Sequence, residues 1–247
     1  MKIVAAYSVK GGVGKTTAAV NLAWSASREH RTLLWDLDPQ GGATYLLQVK
    51  PRVRGDAHDL VSGKADLADV VRSTADKRLD VIPAHDSYRV LDLELDATKR
   101  PERQLAKMLA SIAKRYDVVI LDCPPGMSLL SQSILTAADV VVVPLVPSPL
   151  SMRSLDQVIA MVADMKRRRP AIVGFLSMVD RRKTIHRDLA DRLPRESENV
   201  LPVVVPASTI VERMGVERAP IATFAPRSAP ALAFGDLWAG VSAALAR

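Results

Sequence analysis

Eight consecutive residues, Lys10-Gly11-Gly12-Val13-Gly14-Lys15-Thr16-Thr17, constrain the fold of this chain more than any other stretch. They lie between an apolar run, Ile3 to Tyr7, and a helix-like run, Ala18 to Arg28. A strand that ends in a glycine-rich loop and continues as a helix is the context of a phosphate-binding loop. Glycines without Cβ let successive backbone N–H groups turn inward around an anion. The helix starting near Thr16 adds free N–H groups and the positive end of its dipole. Lys15 can then reach the β- and γ-phosphates, and the Thr16 hydroxyl can ligate Mg²⁺. The loop departs from the general pattern at Val9, where glycine is usual, and carries a second lysine, Lys10, directly before Gly11.

Further along, apolar runs alternate with helical ones. Residues 2–8, Arg31 to Trp35, Leu79 to Pro83, Asp117 to Leu121, Asp139 to Val143, Ile172 to Val179 and Val200 to Val205 read as strands. Helical periodicity covers Thr16 to Glu29, the stripe Leu105, Met108, Leu109 and Ile112 opened by Pro101, and the run from Met152 to Met165 after Pro149. It continues in Ile185 to Leu193, Ser208 to Met214 and Ser228 to Ala246, the last using Leu232, Leu237, Trp238, Val241 and Leu245. Residues 50–78 are polar with weak periodicity around Leu67, Val70 and Val71. In Leu91 to Arg100, leucines alternate with acids, which fits a strand or an extended approach to the next helix, its acids forming a solvated face. The expected architecture is α/β: a doubly wound, mostly parallel sheet flanked by helices on both faces, in one domain spanning 1–247.

Two of these strands end in acid. Asp36-Leu37-Asp38-Pro39-Gln40-Gly41-Gly42 suits a mobile, ligand-facing loop. Asp117 to Leu121 is nearly all apolar, as a central parallel strand should be, and runs into Asp122-Cys123-Pro124-Pro125-Gly126. An apolar strand ending in aspartate is the Walker B arrangement, where the carboxylate holds Mg²⁺ directly or through water.

Composition narrows the remaining classes. A single cysteine, Cys123, excludes an intrachain disulfide and a multi-cysteine metal site. The histidines, His30, His58, His85 and His186, lack metal-ligand spacing and read as surface residues. No apolar run approaches the roughly 18 residues that cross a bilayer, so a cytoplasmic protein is expected. The net charge of +7 favours a polyanionic partner.

The double-lysine loop, Asp36 to Gly41 and Leu121 to Pro125, taken together, resemble the ParA/MinD family of deviant P-loop ATPases, and in particular its short partition and positioning members. The resemblance implies ATP and Mg²⁺ as cofactors, contacts from the whole stretch Lys10 to Thr17, and Lys10 acting across a homodimer on the partner's nucleotide. It implies that Asp38 positions the attacking water and, with Thr16 and Asp122, serves the metal, and that the segment from Pro206 packs on adenine. Because the chain begins at the phosphate loop, the resemblance implies the short form, which binds DNA without sequence preference when dimerised by ATP. That would place it on the nucleoid, with a ParB-like or other cargo-borne protein stimulating hydrolysis. The tail Leu232 to Arg247 holds one basic residue, Arg247, which argues against docking on membrane. A nucleotide-gated scaffold with negligible turnover and a membrane-surface ATPase stay open as alternatives. For DNA, Arg181, Arg182, Arg187, Arg213 and Arg218 follow strands and should lie on the nucleotide side. Lys166-Arg167-Arg168-Arg169 follows a helix and should lie at the opposite edge.

Overall fold

The computed structural model describes residues 1–50, 55–166 and 168–247. Among them are eight strands: β1 (Lys2–Ala6), β2 (Thr32–Asp36), β3 (Arg72–Ser73), β4 (Leu79–Ile82), β5 (Val118–Asp122), β6 (Val140–Leu145), β7 (Ala171–Val179) and β8 (Val200–Pro206). They form one sheet in the order β3-β4-β2-β5-β1-β6-β7-β8. Every neighbouring pair is parallel except β3 with β4.

The helices, in chain order, are α1 (Lys15–Ser27), α2 (Gly42–Leu46), α3 (Ala57–Ser62), α4 (Leu67–Val70), α5 (Leu91–Asp96), α6 (Gln104–Ala110) and α7 (Leu129–Ala137). They continue with α8 (Pro149–Ala163), α9 (Thr184–Glu196), α10 (Thr209–Glu212), α11 (Met214–Glu217), α12 (Ile221–Phe224) and α13 (Ala229–Leu245).

The central strands are apolar on both sides because both sides are covered. Alternation along each strand divides its side chains between two cores. In β1, Ile3 and Ala5 enter one core while Val4 and Ala6 enter the other. In β5, Val119 and Leu121 go one way, Val118 and Ile120 the other. The first core is closed by helices between α3 and α9, the second by α1 and α13. Small residues on α1, Ala18, Ala19, Ala23 and Ala26, are fully buried and let this helix lie close on the sheet. On α13, Phe234, Leu237 and Val241 are buried, each contributing about 1.5–3 kcal/mol of transfer free energy.

Ser128, Ser148 and Ser228 cap α7, α8 and α13 by accepting backbone N–H groups, with Pro149 and Pro230 in the first turn of the latter two. For α8 and α13 these signals place the helix starts where the sequence puts them; α7 is a helix that the sequence reading did not include.

Several expectations are corrected. Leu91 to Asp96 is helix α5, not strand: Leu91 and Leu95, four apart, are buried, while Leu93 is exposed. Its acids do local work, since Asp92 accepts the Leu130 N–H at 2.8 Å and Glu94 pairs with His58. Pro101 opens a short 3₁₀ turn, and α6 proper starts at Gln104. His186 is buried rather than on the surface, its Nδ1 accepting the Asp180 N–H at 3.0 Å. The Ser208 to Met214 stretch divides into α10 and α11, and Leu232 of α13 faces outward. The weak periodicity within 50–78 becomes α3, α4 and β3; part of that stretch, residues 51–54, lies outside the described residues, as does Arg167 of the basic run.

Candidate active site

Strand order puts the candidate residues together. β1 sits between β5 and β6, so the loop leaving β1 emerges where the sheet's connections diverge, the usual ligand crevice of such folds. Register pairs Ala6 with Asp122 and Asp122 with Asp36, which brings both acidic strand ends alongside the loop. By alternation both carboxylates share the face on which α1 packs.

The loop is shaped by close contacts. Gly14 has φ +98°, and a Cβ there would lie 2.9 Å from the Ser177 hydroxyl at the end of β7, so only glycine fits. The Tyr7 hydroxyl donates to the Gly126 carbonyl at 2.7 Å, and the Gly126 N–H donates to the Val9 carbonyl at 3.1 Å. These bonds tie the loop after β5 to the exit of β1. At Gly42, a Cβ would approach the Thr16 methyl at 3.0 Å, so the Asp38 loop rests directly on Thr16.

Unlike α7, α8 and α13, α1 has no side-chain cap, its N-cap being Gly14. Its first N–H groups are left for an anion. The Lys15 ammonium is buried and donates to the Lys10 carbonyl at 3.0 Å. Two of its three N–H bonds remain for phosphate oxygens. Burial pulls the Lys15 pKa down, and Asp122 opposes that pull. Val13 is buried, Lys10, Thr16 and Thr17 are half-buried, and Gly11 and Gly12 are exposed.

Asp36 and Asp122 are fully buried. Asp36 Oδ2 accepts from the Thr44 N–H at 2.8 Å and from the Thr44 hydroxyl at 2.7 Å. Among the described residues, Asp36 Oδ1 and both carboxylate oxygens of Asp122 have no hydrogen-bond partner. Buried oxygens left without donors are costly, and a divalent cation is the group that satisfies them. The donor set, two carboxylates with the Thr16 hydroxyl nearby, is all oxygen and suits Mg²⁺. Asp38 sits apart in the loop, half-buried, its Oδ1 accepting the Gln40 N–H at 2.9 Å. The family resemblance implies Asp38 at the metal beside Thr16 and Asp122; the strand register in addition sets Asp36 against Asp122. The signal was present: Trp35-Asp36 ends its strand as Leu121-Asp122 does, in register.

Electrostatics give the pair a pH dependence. Burial pushes Asp122 well above the carboxylate range, with Asp36 adding to the effect and Thr16 and Lys15 opposing it. Burial likewise pushes Asp36 up to about 6, against its bonds from Thr44. Both folded-state values are raised, so the stabilisation of the ligand-free fold by neutral carboxyls is fully present below the ordinary carboxylate range. It is lost as pH rises through the folded values. A cation must displace these protons. Mg²⁺-nucleotide binding should therefore release protons at pH 6.5, measurable by calorimetry in buffers of different ionisation enthalpy. Asp36→Asn should reduce the release; identical heats in all buffers would contradict it.

The remaining sequence candidates lie near the carboxyl ends of β7 and β8. Pro206 ends β8, half-buried. Arg181 and Arg187 are exposed, Arg187 donating to the Arg181 carbonyl at 3.2 Å. Arg182 forks onto Asp180 at 2.9 and 3.0 Å. Arg213 pairs with Glu217 at 2.5 Å, and Arg218 lies over the Tyr45 ring, 4.5 Å from its centroid. Arg168 pairs with Asp139, whose other oxygen accepts the Ile3 N–H that begins β1. That fixes Arg168 at the edge opposite the loop. No helix among the described residues is long and apolar enough to cross a membrane.

Strand, glycine loop and uncapped helix, with paired acidic strand ends beside them, define a P-loop NTPase fold. A family model described as an AAA domain matches residues 1–173. The chain is 34% identical over 249 residues to the sporulation initiation inhibitor protein Soj of Bacillus subtilis (strain 168), covering 98% of each chain. In fold it is similar to an ATP complex of an McdA variant from Cyanothece, with a TM-score of 0.84, 19% identity, and coverage of 100% of this chain and 96% of that one. It is also similar to cobyrinic acid a,c-diamide synthase from Mycobacterium smegmatis with a bound ATP analog and magnesium, with a TM-score of 0.78, 25% identity, and coverage of 98% and 94%. The chain belongs to the ParA/MinD family of P-loop ATPases.

Proposed function

We propose that this protein is an ATP-hydrolysing, ATP-dimerised switch that binds DNA without sequence preference and partitions or positions a cargo. The observation that carries this reading is the loop itself: a second lysine, Lys10, placed at the mouth of a cradle whose other charged groups are already committed inward. Lys15 holds the β- and γ-phosphates, and the backbone from Lys10 to Thr17 surrounds them. Thr16, Asp122 and Asp36 would hold Mg²⁺, which neutralises phosphate charge when bound. Asp38 orients the attacking water, and the Pro206 segment borders the adenine. Lys10, half-buried at the loop's outer end, is free to serve the triphosphate of a second copy.

Lys10→Ala should accordingly still bind ATP as a monomer while losing ATP-dependent dimerisation and turnover. Light scattering with ATP reads this directly; a normal ATP dimer in the variant would reject the trans role.

DNA is held through its phosphates by basic residues on the nucleotide side. Arg181 and Arg187 support this best, being exposed and without an acidic partner among the described residues. Arg182, Arg213 and Arg218 already hold intramolecular partners. Each lost phosphate contact should lower the salt slope of DNA affinity by roughly 0.9, similarly for any sequence. Arg181→Glu and Arg187→Glu should flatten that slope with the ATP dimer intact, and Arg168→Glu should not. The reverse pattern would move the DNA surface to the other edge. A cargo-borne, ParB-like protein is the proposed activator, its stimulation of hydrolysis dissolving the dimer and releasing DNA.

A further inference from the structure

α2 follows the Asp36–Gly42 loop at once, and a set of contacts far apart in sequence clamps it to α11 and the turn after it. The Tyr45 hydroxyl donates to the Gly215 carbonyl at 3.1 Å. Gln48 Nε2 donates to the Arg218 carbonyl at 3.1 Å, and Arg218 Nε donates back to the Tyr45 carbonyl at 3.1 Å. The Arg218 guanidinium covers the Tyr45 ring. Of the three non-glycine residues with positive φ among the described residues, two, Gln48 at 57° and Arg218 at 50°, meet here face to face. Such backbone is held only where its surroundings impose it.

The clamp is anchored at both ends. Thr44 ties α2 to the buried Asp36 carboxylate and also accepts the Ala84 N–H at 2.8 Å. On the other side, Asn21 of α1 accepts the Ile221 N–H at 2.9 Å, and its Nδ2 lies 3.4 Å from Met214 Sδ. The segment from Met214 to Ile221 is thus braced between the phosphate-loop helix and the helix that follows Asp38.

We infer that Tyr45, Gln48 and Arg218 form a latch that positions the Asp38 loop for hydrolysis by holding α2 against the segment after β8. They are positioning residues, acting through Asp38, and the inference rests on the role proposed for Asp38. ATP binding needs the phosphate loop, which the latch does not touch, so opening the latch should slow turnover and spare affinity. The positive φ values offer a test that spares the fold. Glycine at 48 or 218 removes the side-chain contacts and relieves the backbone, so the folded state loses little.

The experiment measures single-turnover hydrolysis at saturating Mg²⁺-ATP without DNA, together with ATP affinity and melting temperature. The variants are Arg218→Gly, Gln48→Gly, the double variant and Tyr45→Phe, with Asp38→Ala in parallel. The expected result is a five- to tenfold slower step in Arg218→Gly, a larger loss in the double variant, and unchanged affinity and melting temperature. Partial recovery is expected in Arg218→Lys, which restores the cation over the ring. An unchanged rate in Arg218→Gly and the double variant overturns the latch, as does a loss that appears only with a fall in melting temperature. If Asp38→Ala hydrolyses normally, the role of Asp38 fails and the latch fails with it. Normal rates in the glycine variants beside an inactive Asp38→Ala reject the latch alone.

Discussion

Lys15→Ala is expected to weaken ATP binding by about 100-fold, corresponding to about 3 kcal/mol of lost charge-assisted hydrogen bonding. The expectation follows from the geometry of the loop. Lys15 is buried, its ammonium is already oriented by the Lys10 carbonyl, and two of its donors are uncommitted. The backbone N–H groups and the dipole of α1 survive the substitution, but they supply only partial charges. In the ligand-free protein burial raises the Asp122 pKa well above the carboxylate range, so Asp122 does not depend on the neighbouring ammonium, and losing that ammonium should leave the fold intact. Titration with a fluorescent ATP analogue, with circular dichroism as a check on folding, measures the effect. Wild-type affinity in a folded variant would mean that the triphosphate lies elsewhere.

Asp38→Ala should separate binding from turnover. Its carboxylate is the half-buried acid of the pair and lies in a loop that rests on Thr16 through Gly42. The fully buried Asp36 and Asp122 stay in place beneath it. A positioned carboxylate is worth about 10²–10⁴ in rate. The variant should therefore bind Mg²⁺-ATP normally, hydrolyse it at least about 100-fold more slowly, and persist as an ATP dimer on DNA. Undiminished hydrolysis, followed by phosphate release, would transfer the role to Asp36.

What the sequence made legible follows from which signals are local. The phosphate loop, the Walker B strand and the starts of α8 and α13 are written in contiguous residues, and the structure has each where it was expected; α7, which no expectation covered, is capped by Ser128 in the same local way. The alternating leucines of Leu91 to Asp96 misled because a two-residue period over six positions also leaves Leu91 and Leu95 four apart, on one side of a helix. His186 was hidden because its burial depends on the Asp180 turn folding back over it. The juxtaposition of Asp36 with Asp122 was hidden for a related reason: only the β2–β5 register sets the two side by side. The commitments of Arg182, Arg213 and Arg218 were illegible too, and the Tyr45–Arg218 contact joins residues more than 170 positions apart.

The central claim is that ATP, and not ADP, assembles two copies of this chain into a form that holds DNA. Sedimentation velocity of the Asp38→Ala variant with a random-sequence duplex, run with ATP, with ADP and without nucleotide, tests it most directly. The account predicts a dimer migrating with the duplex only in the ATP sample, lost again when Lys10 is also replaced by alanine. A monomer that ignores DNA in all three conditions, or equal DNA binding in all three, would contradict it.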